Sequence, residues 1–521
     1  MYLPKISTIK PFIIILSCFG SILVSISAWN YGLGLSPDSV EYLATADNLL
    51  RGKGFLSFNG LLIIEWPPLY PILLFILSFI FKINTALSAV LLNALLIGLI
   101  IYKVGIILIK NLDSILLIIF GLLFILFSIP VFSESLWVHS ELLFIYFVTL
   151  YLDFLISYLE KRNWLSLMIL VVITALALLT RYIGLTLILT TIVAILSYCN
   201  ESYKKKIVSI VTYSLLSIIP LIIWLVRNYI ISGTFFGERG ASRYSFWFNI
   251  NITMEKILSW DIPDHFISLK MFFIIFMFMT IVFMWLFLTK KISYSKLLLT
   301  TNKIFLVILS QFVSVYISFL ILISTFKAHN SIDNRLLSPI FIPFAILLVI
   351  ILQAAYNWIY SIKHSKLFRI AFIILLLISF AEPIRHTIKV FDFHYNCGEG
   401  YSGSSWQKNI KEKWLKFLKE SYIKNSAVYS NEPFELYYLT NNYTKWSPRK
   451  TYYDSDEIYV RLKDLKSKWP PEKKAYLVWF NKIEFHSTSL YTPQELVSIS
   501  EMKIIDSSDV GTFYSIETKN Q

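Results

Sequence analysis

IIEWPPLYPILLFILSFIF, residues 63–81, is the stretch on which the topology turns. Glu65 and Trp66 are followed by Pro67 and Pro68, and then by the apolar run Leu69–Phe81. A membrane span needs about 20 such residues, so this run reads as a helix lying in the interface or dipping into it. Working outward, longer apolar runs lie near 11–29, 86–108, 113–132, 137–158, 164–182, 184–200, 207–230, 269–289, 304–326, 337–360 and 369–388. They make eleven expected spans. With eleven and a cytoplasmic N-terminus (Lys5, Lys10), the inner loops collect Lys103/Lys110, Lys161/Arg162, Lys204–Lys206, Lys290/Lys291/Lys296 and Lys363/Lys366/Arg369. Lys and Arg favour cytoplasmic loops, and a twelfth span at 69–81 would turn all of these clusters outward. The first run has no small-residue cleavage site and reads as an uncleaved span.

The composition agrees. The 521 residues are 56% hydrophobic and 15% charged, against about 25% charged in soluble domains. That excludes a soluble multidomain enzyme and a disordered chain. Cys18 and Cys199 sit in apolar runs and Cys397 stands alone, so no disulfide framework is expected. The net charge of +14 is read as topology signals and lipid-headgroup contacts, with no nucleic-acid partner. The expected fold is an α-helical polytopic membrane protein. Residues 1–388 would form the membrane module, with a first outer loop at 30–85, and 389–521 a small extracytoplasmic α/β domain. Within the latter, Ala427–Ser430 and Ala475–Phe480 read as strands and Trp406–Glu420 as an amphipathic helix.

In this topology the polar residues gather at the outer ends of spans. The first outer loop opens with Ser36-Pro37-Asp38-Ser39-Val40-Glu41-Tyr42. Ser36 suits an N-cap, Pro37 the first helical turn and Gly52 the stop, which places Asp38 at the leading end of a surface helix. Glu65 stands between two apolar stretches, where a carboxylate is costly and usually functional or paired. Two carboxylates on one loop suit activation and orientation of an acceptor hydroxyl. His139, Glu141, Arg181, Arg227, Lys327, His329 and Arg335 lie on the same side. Cations converging on one cavity are what a lipid-linked phosphate needs. Singly, each reads equally well structurally: Asp38 as a helix-dipole partner, the cations as snorkelling or loop ion pairs. No P-loop, GxGxxG, HExxH or GxSxG is present, and the histidines lack metal-ligand spacing.

As a set, these residues resemble the C-type (GT-C) glycosyltransferases. In particular they resemble the protein-mannosyltransferase-like branch, glycosyltransferase family 39, which includes bacterial aminoarabinose lipid A transferases. The likeness is carried by Asp38 on a surface helix ending in a Gly-rich turn, Glu65-Trp66-Pro67-Pro68-Leu69-Tyr70, Arg227-Asn228-Tyr229 and Asn334-Arg335-Leu336-Leu337-Ser338-Pro339, and covers residues 10–350. It implies transfer of a sugar from a polyprenyl-phosphate donor, within the membrane lipid, to an acceptor glycan, lipid or protein. Asp38 would be the base and Glu65 would place donor or acceptor. Glu41, Tyr42, His139, Glu141, Arg181, Arg227, Lys327, His329 and Arg335 are the expected substrate-binding residues. The chain departs from the lipid A transferases at Trp66, where they have a Lys that meets the donor phosphate. No cofactor or metal ligand is assigned, although the scheme is compatible with a divalent metal. A transporter or flippase of a lipid-linked substrate is the alternative, and a non-catalytic scaffold a third; a transporter would spread its polar residues through the midplane.

Overall fold

A computed structural model describes residues 3–260, 303–328, 330–361, 366–408, 418, 426–466, 468–481 and 489–518. The expected span at 269–289, His329 and most of Trp406–Glu420 lie outside the described residues. In chain order the helices are α1 (Leu3–Ser27), α2 (Pro37–Leu50), α3 (Leu69–Phe81), α4 (Thr85–Asn111), α5 (Ile115–Leu126), α6 (Ile129–Ser135), α7 (Glu141–Lys161), α8 (Trp164–Thr180), α9 (Leu185–Tyr198), α10 (Tyr203–Ser232), α11 (Phe246–Leu258), α12 (Lys303–Phe326), α13 (Asn334–Ser361), α14 (Lys366–Ile378) and α15 (Ala381–Cys397). Among the described residues, seven segments are long and apolar enough to cross a membrane: Ile9–Ser27, α4, α7, α10, Ile304–Phe326, Asn334–Asn357 and Lys366–Cys397. The expected span at 113–132 is the pair α5 and α6, bent by 49°. Those at 164–182 and 184–200 are the shorter apolar helices α8 and α9. α3 occupies the bounds read from the sequence, and the boundary expected at 388/389 falls inside α15.

Burial sorts the bundle. In their most apolar windows α4 is 72% buried and α13 83%, whereas α10 is 22% and Lys366–Cys397 17%, which makes α4 and α13 the centre. Helices in lipid gain little from apolar burial alone, and buried hydroxyls there need partners. Tyr151 on α7 donates to the Leu187 carbonyl (2.9 Å) and meets the Thr191 hydroxyl (2.8 Å). Thr191 in turn reaches Tyr213 at 3.0 Å, and Tyr213 meets Thr174 at 2.8 Å. This chain of hydroxyls ties α7, α8, α9 and α10 together.

The C-terminal part carries one sheet: β1 (Ala427–Ser430), β2 (Lys445–Trp446), β3 (Lys474–Phe480), β4 (Ser500–Ser507) and β5 (Gly511–Thr518), ordered β2-β1-β3-β5-β4. β1 runs parallel to β2 and β3, and β5 antiparallel to β3 and β4. Both strands read from the sequence are present. β3 is buried along nearly its whole length, as its near-continuous apolar run requires. The sheet region is packed onto α2 and the loop after it. Phe58 lies 4.3 Å from Phe434, ring to ring. Tyr443 donates to the side-chain oxygen of Asn48 (2.7 Å), and Arg51 to that of Asn441 (3.1 Å). One apolar core therefore runs from the bundle into the sheet region, reaching Val428, Leu436 and Phe480, and α2 lies between the two.

Candidate active site

The site is built outward from the start of α2. Ser36 is its N-cap: its side chain accepts from the Ser39 amide, while the Ser39 hydroxyl accepts from the Ser36 amide. Pro37 opens the helix and Asp38 lies in its first turn, where a carboxylate also complements the helix dipole. The residues just before are gripped on both sides by backbone. Gly34 donates to the Leu136 carbonyl (2.8 Å) and accepts from Val138 (3.1 Å); Leu35 donates to Glu399 (3.3 Å) and accepts from Tyr401 (2.9 Å). Gly400, at φ +62°, lies so close to the Leu35 carbonyl that any side chain would collide with it. From α4, buried Asn93 donates to the carbonyls of Ser135 (3.0 Å) and Trp137 (2.7 Å). Asp38 is thus fixed by segments about 100 and 360 residues downstream.

Charges alternate outward from Asp38. Asp38 Oδ2 lies 2.8 Å from Arg335 Nη1, Arg335 Nε 3.0 Å from Glu141 Oε1, and that same oxygen 2.6 Å from Arg181 Nη1. Arg181 also donates to the Ser140 hydroxyl at 3.2 Å, which the Tyr42 hydroxyl meets at 3.2 Å. Arg181 follows the last residue of α8, Glu141 is the first of α7 and Arg335 the second of α13, so three helix ends converge here. The side chains of Asp38 and Arg335 each remain 18% exposed, against 2% for Glu141. Asp38 and Arg335 can meet a substrate; Glu141 holds the two guanidiniums. Asp38 Oδ1 makes no hydrogen bond among the described residues. Beside Glu141, His139 Nδ1 is 3.0 Å from Glu134 Oε2 and Nε2 is 2.9 Å from the Ser36 hydroxyl, a relay that ends on the cap of α2.

Glu134, His139 and Glu141 offer ligand atoms within 4.8 Å of one another, a grouping that the spacing of the histidines does not suggest. Glu134 Oε2, both ring nitrogens of His139 and Glu141 Oε1 already have protein partners, and the neighbouring guanidiniums of Arg181 and Arg335 would repel a divalent cation.

The other carboxylates of the first loop occupy the same neighbourhood. Glu41 lies one turn along α2 from Asp38 and accepts a hydrogen bond from Ser57. Burial pushes its carboxyl up to about 8, against the Ser57 hydrogen bond, and the negative fields of Glu65 and Asp38 add to the rise. Glu65 is exposed to solvent, with the Gly237 backbone packed against its side chain. Its enclosure raises its carboxyl, and the fields of Arg239 and Arg449 oppose the rise. Trp66 stands edge-on to Tyr42 at 6.2 Å, and Tyr42 to Tyr70 at 5.0 Å.

Two expected binders, Arg227 and Lys327, take no part in these ion pairs among the described residues. Arg227 donates to the Ile63 carbonyl (2.5 Å) and the Asn228 side chain (2.9 Å), and lies over the Trp224 ring at 4.4 Å. Asn228 donates to the Ile64 carbonyl at 2.9 Å. The pair therefore shapes the backbone that carries Glu65. Lys327 is exposed just beyond α12. Four residues unassigned in the sequence complete the site: Glu134, Ser36, Arg239 and Arg449. Ser36 reads in the sequence only as the cap of α2, and Glu134 lies five residues before His139; Arg239 and Arg449 carry no local signal.

No family model and no curated protein sequence matches the chain. Solved structures do. ArnT from Cupriavidus metallidurans aligns over 96% of this chain and 97% of its own, with a TM-score of 0.58, at 11% identity in its apo state and 12% when bound to undecaprenyl phosphate. The chain has a C-type membrane glycosyltransferase fold. The archaeal oligosaccharyltransferase AglB from Archaeoglobus fulgidus, solved with an inhibitory peptide and a dolichol-phosphate, aligns over 90% of this chain and 69% of its own (TM-score 0.52, 11% identity). The alignment with ArnT therefore takes in the C-terminal sheet region as well as the helices.

Proposed function

We propose that this protein transfers a sugar from a polyprenyl-phosphate donor to an acceptor hydroxyl at the membrane face where Asp38 lies. The observation that carries the reading is the pairing of accessible Asp38 with Arg335 at the converging ends of three apolar helices, in a fold shared with ArnT. That ArnT and AglB were solved with undecaprenyl phosphate and dolichol-phosphate supports the donor class. Asp38 takes the acceptor's hydroxyl proton as the new bond to the anomeric carbon forms. The bond from that carbon to the donor phosphate breaks, and the lipid phosphate leaves with the electron pair. Cations facing the leaving oxygen stabilise its growing charge. A single displacement of this kind inverts the anomeric centre. By the charge distribution of its loops, the protein sits in the cell (plasma or inner) membrane with its N-terminus cytoplasmic and the Asp38 face and C-terminal domain outside.

The test is mass spectrometry of lipids from cells with and without the protein. Its removal should cause a polyprenyl-phosphate sugar to accumulate and a glycan to disappear. An unchanged pool of lipid-linked sugars and unchanged glycans would overturn the reading.

A further inference from the structure

His139 has neither ring nitrogen left for a substrate. Its side chain is 6% exposed, with Nδ1 on Glu134 and Nε2 on the Ser36 hydroxyl. The Trp137 ring is stacked on it at 5.3 Å, 10° from parallel. We propose that His139 is a positioning residue for transfer: held by Glu134, it anchors the Ser36 hydroxyl and through that cap sets where Asp38 points. The inference rests on the reaction proposed above.

The hydrogen bonds decide which way the protons point. The Ser36 hydroxyl oxygen accepts from the Ser39 amide (3.4 Å), and the Ser39 hydroxyl oxygen accepts from the Ser36 amide (2.9 Å). The two hydroxyls are 3.1 Å apart, and Ser39 is fully buried. If His139 donated from Nε2, the Ser36 hydroxyl would have to donate to Ser39, and the Ser39 proton would have no acceptor among the described residues. If Nε2 accepts instead, the Ser39 hydroxyl donates to Ser36, Ser36 donates to His139, and His139 Nδ1–H donates to Glu134. Every donor then has an acceptor, as buried polar groups require. The donors run in one direction, from the first turn of α2 to the Glu134 carboxylate, and Glu134 sets the tautomer of His139.

Asp38 lies between the two serines, so the capping box that His139 completes fixes the backbone from which its carboxylate projects. The frame around His139 is rigid. Asn93 on α4 and the His139 amide both donate to the Trp137 carbonyl (2.7 and 2.9 Å), and the Val138 amide donates to Gly34 (3.1 Å). Gly34 packs so closely on the Trp137 ring that a Cβ there would lie 2.9 Å from it. Without an acceptor at Nε2, the Ser36 hydroxyl turns toward Ser39 and competes for the oxygen that caps the Ser36 amide. A reacting group misplaced by about 1 Å can lose about 100-fold in rate. No substrate contact is lost with His139, so donor binding should be spared.

The test compares His139→Gln with His139→Asn in the full-length protein in nanodiscs. Glutamine puts a polar atom where Nε2 stands, asparagine only where Nδ1 stands. Transfer is measured with lipid-linked sugar extracted from cells lacking the protein as donor, and the membranes of those cells as acceptor. His139→Asn should lower kcat by about 10- to 100-fold with the donor KM within twofold of wild type, and His139→Gln should recover most of the loss. In a Ser36→Ala background His139→Asn should cost less than a further twofold, because both act through one contact. Hydrogen exchange of the Ser39 and Val40 amides reads the cap directly. It should quicken in His139→Asn and in Ser36→Ala but not in His139→Gln. Thermal unfolding shows which variants are folded; if His139→Asn is not, Glu134→Leu, which strips Nδ1–H of its acceptor, replaces it with the same expected loss. Equal losses in the asparagine and glutamine variants, an additive loss with Ser36→Ala, or a raised donor KM at unchanged kcat overturns the positioning role. If the wild-type protein transfers no sugar, the reaction proposed above falls, whereas unchanged exchange in His139→Asn overturns the anchor by itself.

Discussion

Asp38 and Glu65 share one loop but are built differently. Asp38 sits in the first turn of a helix with a full capping box, gripped by backbone on two sides and closed by Arg335 from α13. Glu65 sits on irregular backbone shaped by Arg227 and Asn228, and faces arginines with which it makes no close pair. The first carboxylate is set in a saturated network and the second in an open one. Changes around Asp38 should therefore cost stability and activity together, while changes around Glu65 should cost activity alone.

The sharpest way to break that contrast is Glu141→Gln. It leaves Arg181 and Arg335 without their shared counterion in a buried place and should cost about 3–5 kcal/mol, read as a large drop in unfolding temperature. A neutral result would mean that the network is not saturated. Ser36→Ala removes the cap of α2 and the end of the His139 relay, and should cost about 1 kcal/mol while lowering transfer through misplacement of Asp38. Glu65→Gln should change stability by less than about 0.5 kcal/mol yet still depress transfer; a large destabilisation would place Glu65 in a closed network after all.

Glu41 sharpens the comparison through pH. Its carboxyl stands at about 8 in the folded protein against its ordinary 4.5, so between those values the folded state keeps a proton that the unfolded chain has released. Its contribution to stability therefore declines as pH rises from about 4.5 to about 8 and is level above that. Unfolding temperatures of Glu41→Gln measured against wild type should show that slope flattened. Parallel profiles for the two proteins would mean that Glu41 titrates normally.

How much of this could be read in advance follows the same division. Helices announce themselves through apolar length and caps, so α2, its Ser36 cap, the bounds of the short apolar α3 and the strands β1 and β3 were legible in the sequence. So was the gathering of Asp38, Glu141, Arg181 and Arg335, because positive charge in loops sets which helix ends share a face. The 49° break between α5 and α6 was missed although it carries a local signal: the Ser128 side chain caps α6 by accepting from the Val131 amide, and Pro130 stands in its first turn. The partners of Glu65 were hidden for another reason. Arg239 and Arg449 lie in loops about 170 and 380 residues downstream, and only the docking of the sheet region on α2 brings them close. The hydrogen bond from Arg227 to the Ile63 carbonyl was equally invisible, because such a contact leaves no mark in residue order.

The central claim is that Asp38 takes the acceptor's proton. Its most direct test is transfer by the purified, reconstituted protein from a polyprenyl-phosphate sugar, comparing wild type with Asp38→Asn. The substitution keeps the size of the side chain and its first-turn position, and removes the base. Transfer should vanish while the variant remains folded and still binds the donor. Transfer at the wild-type rate by folded Asp38→Asn would contradict the account.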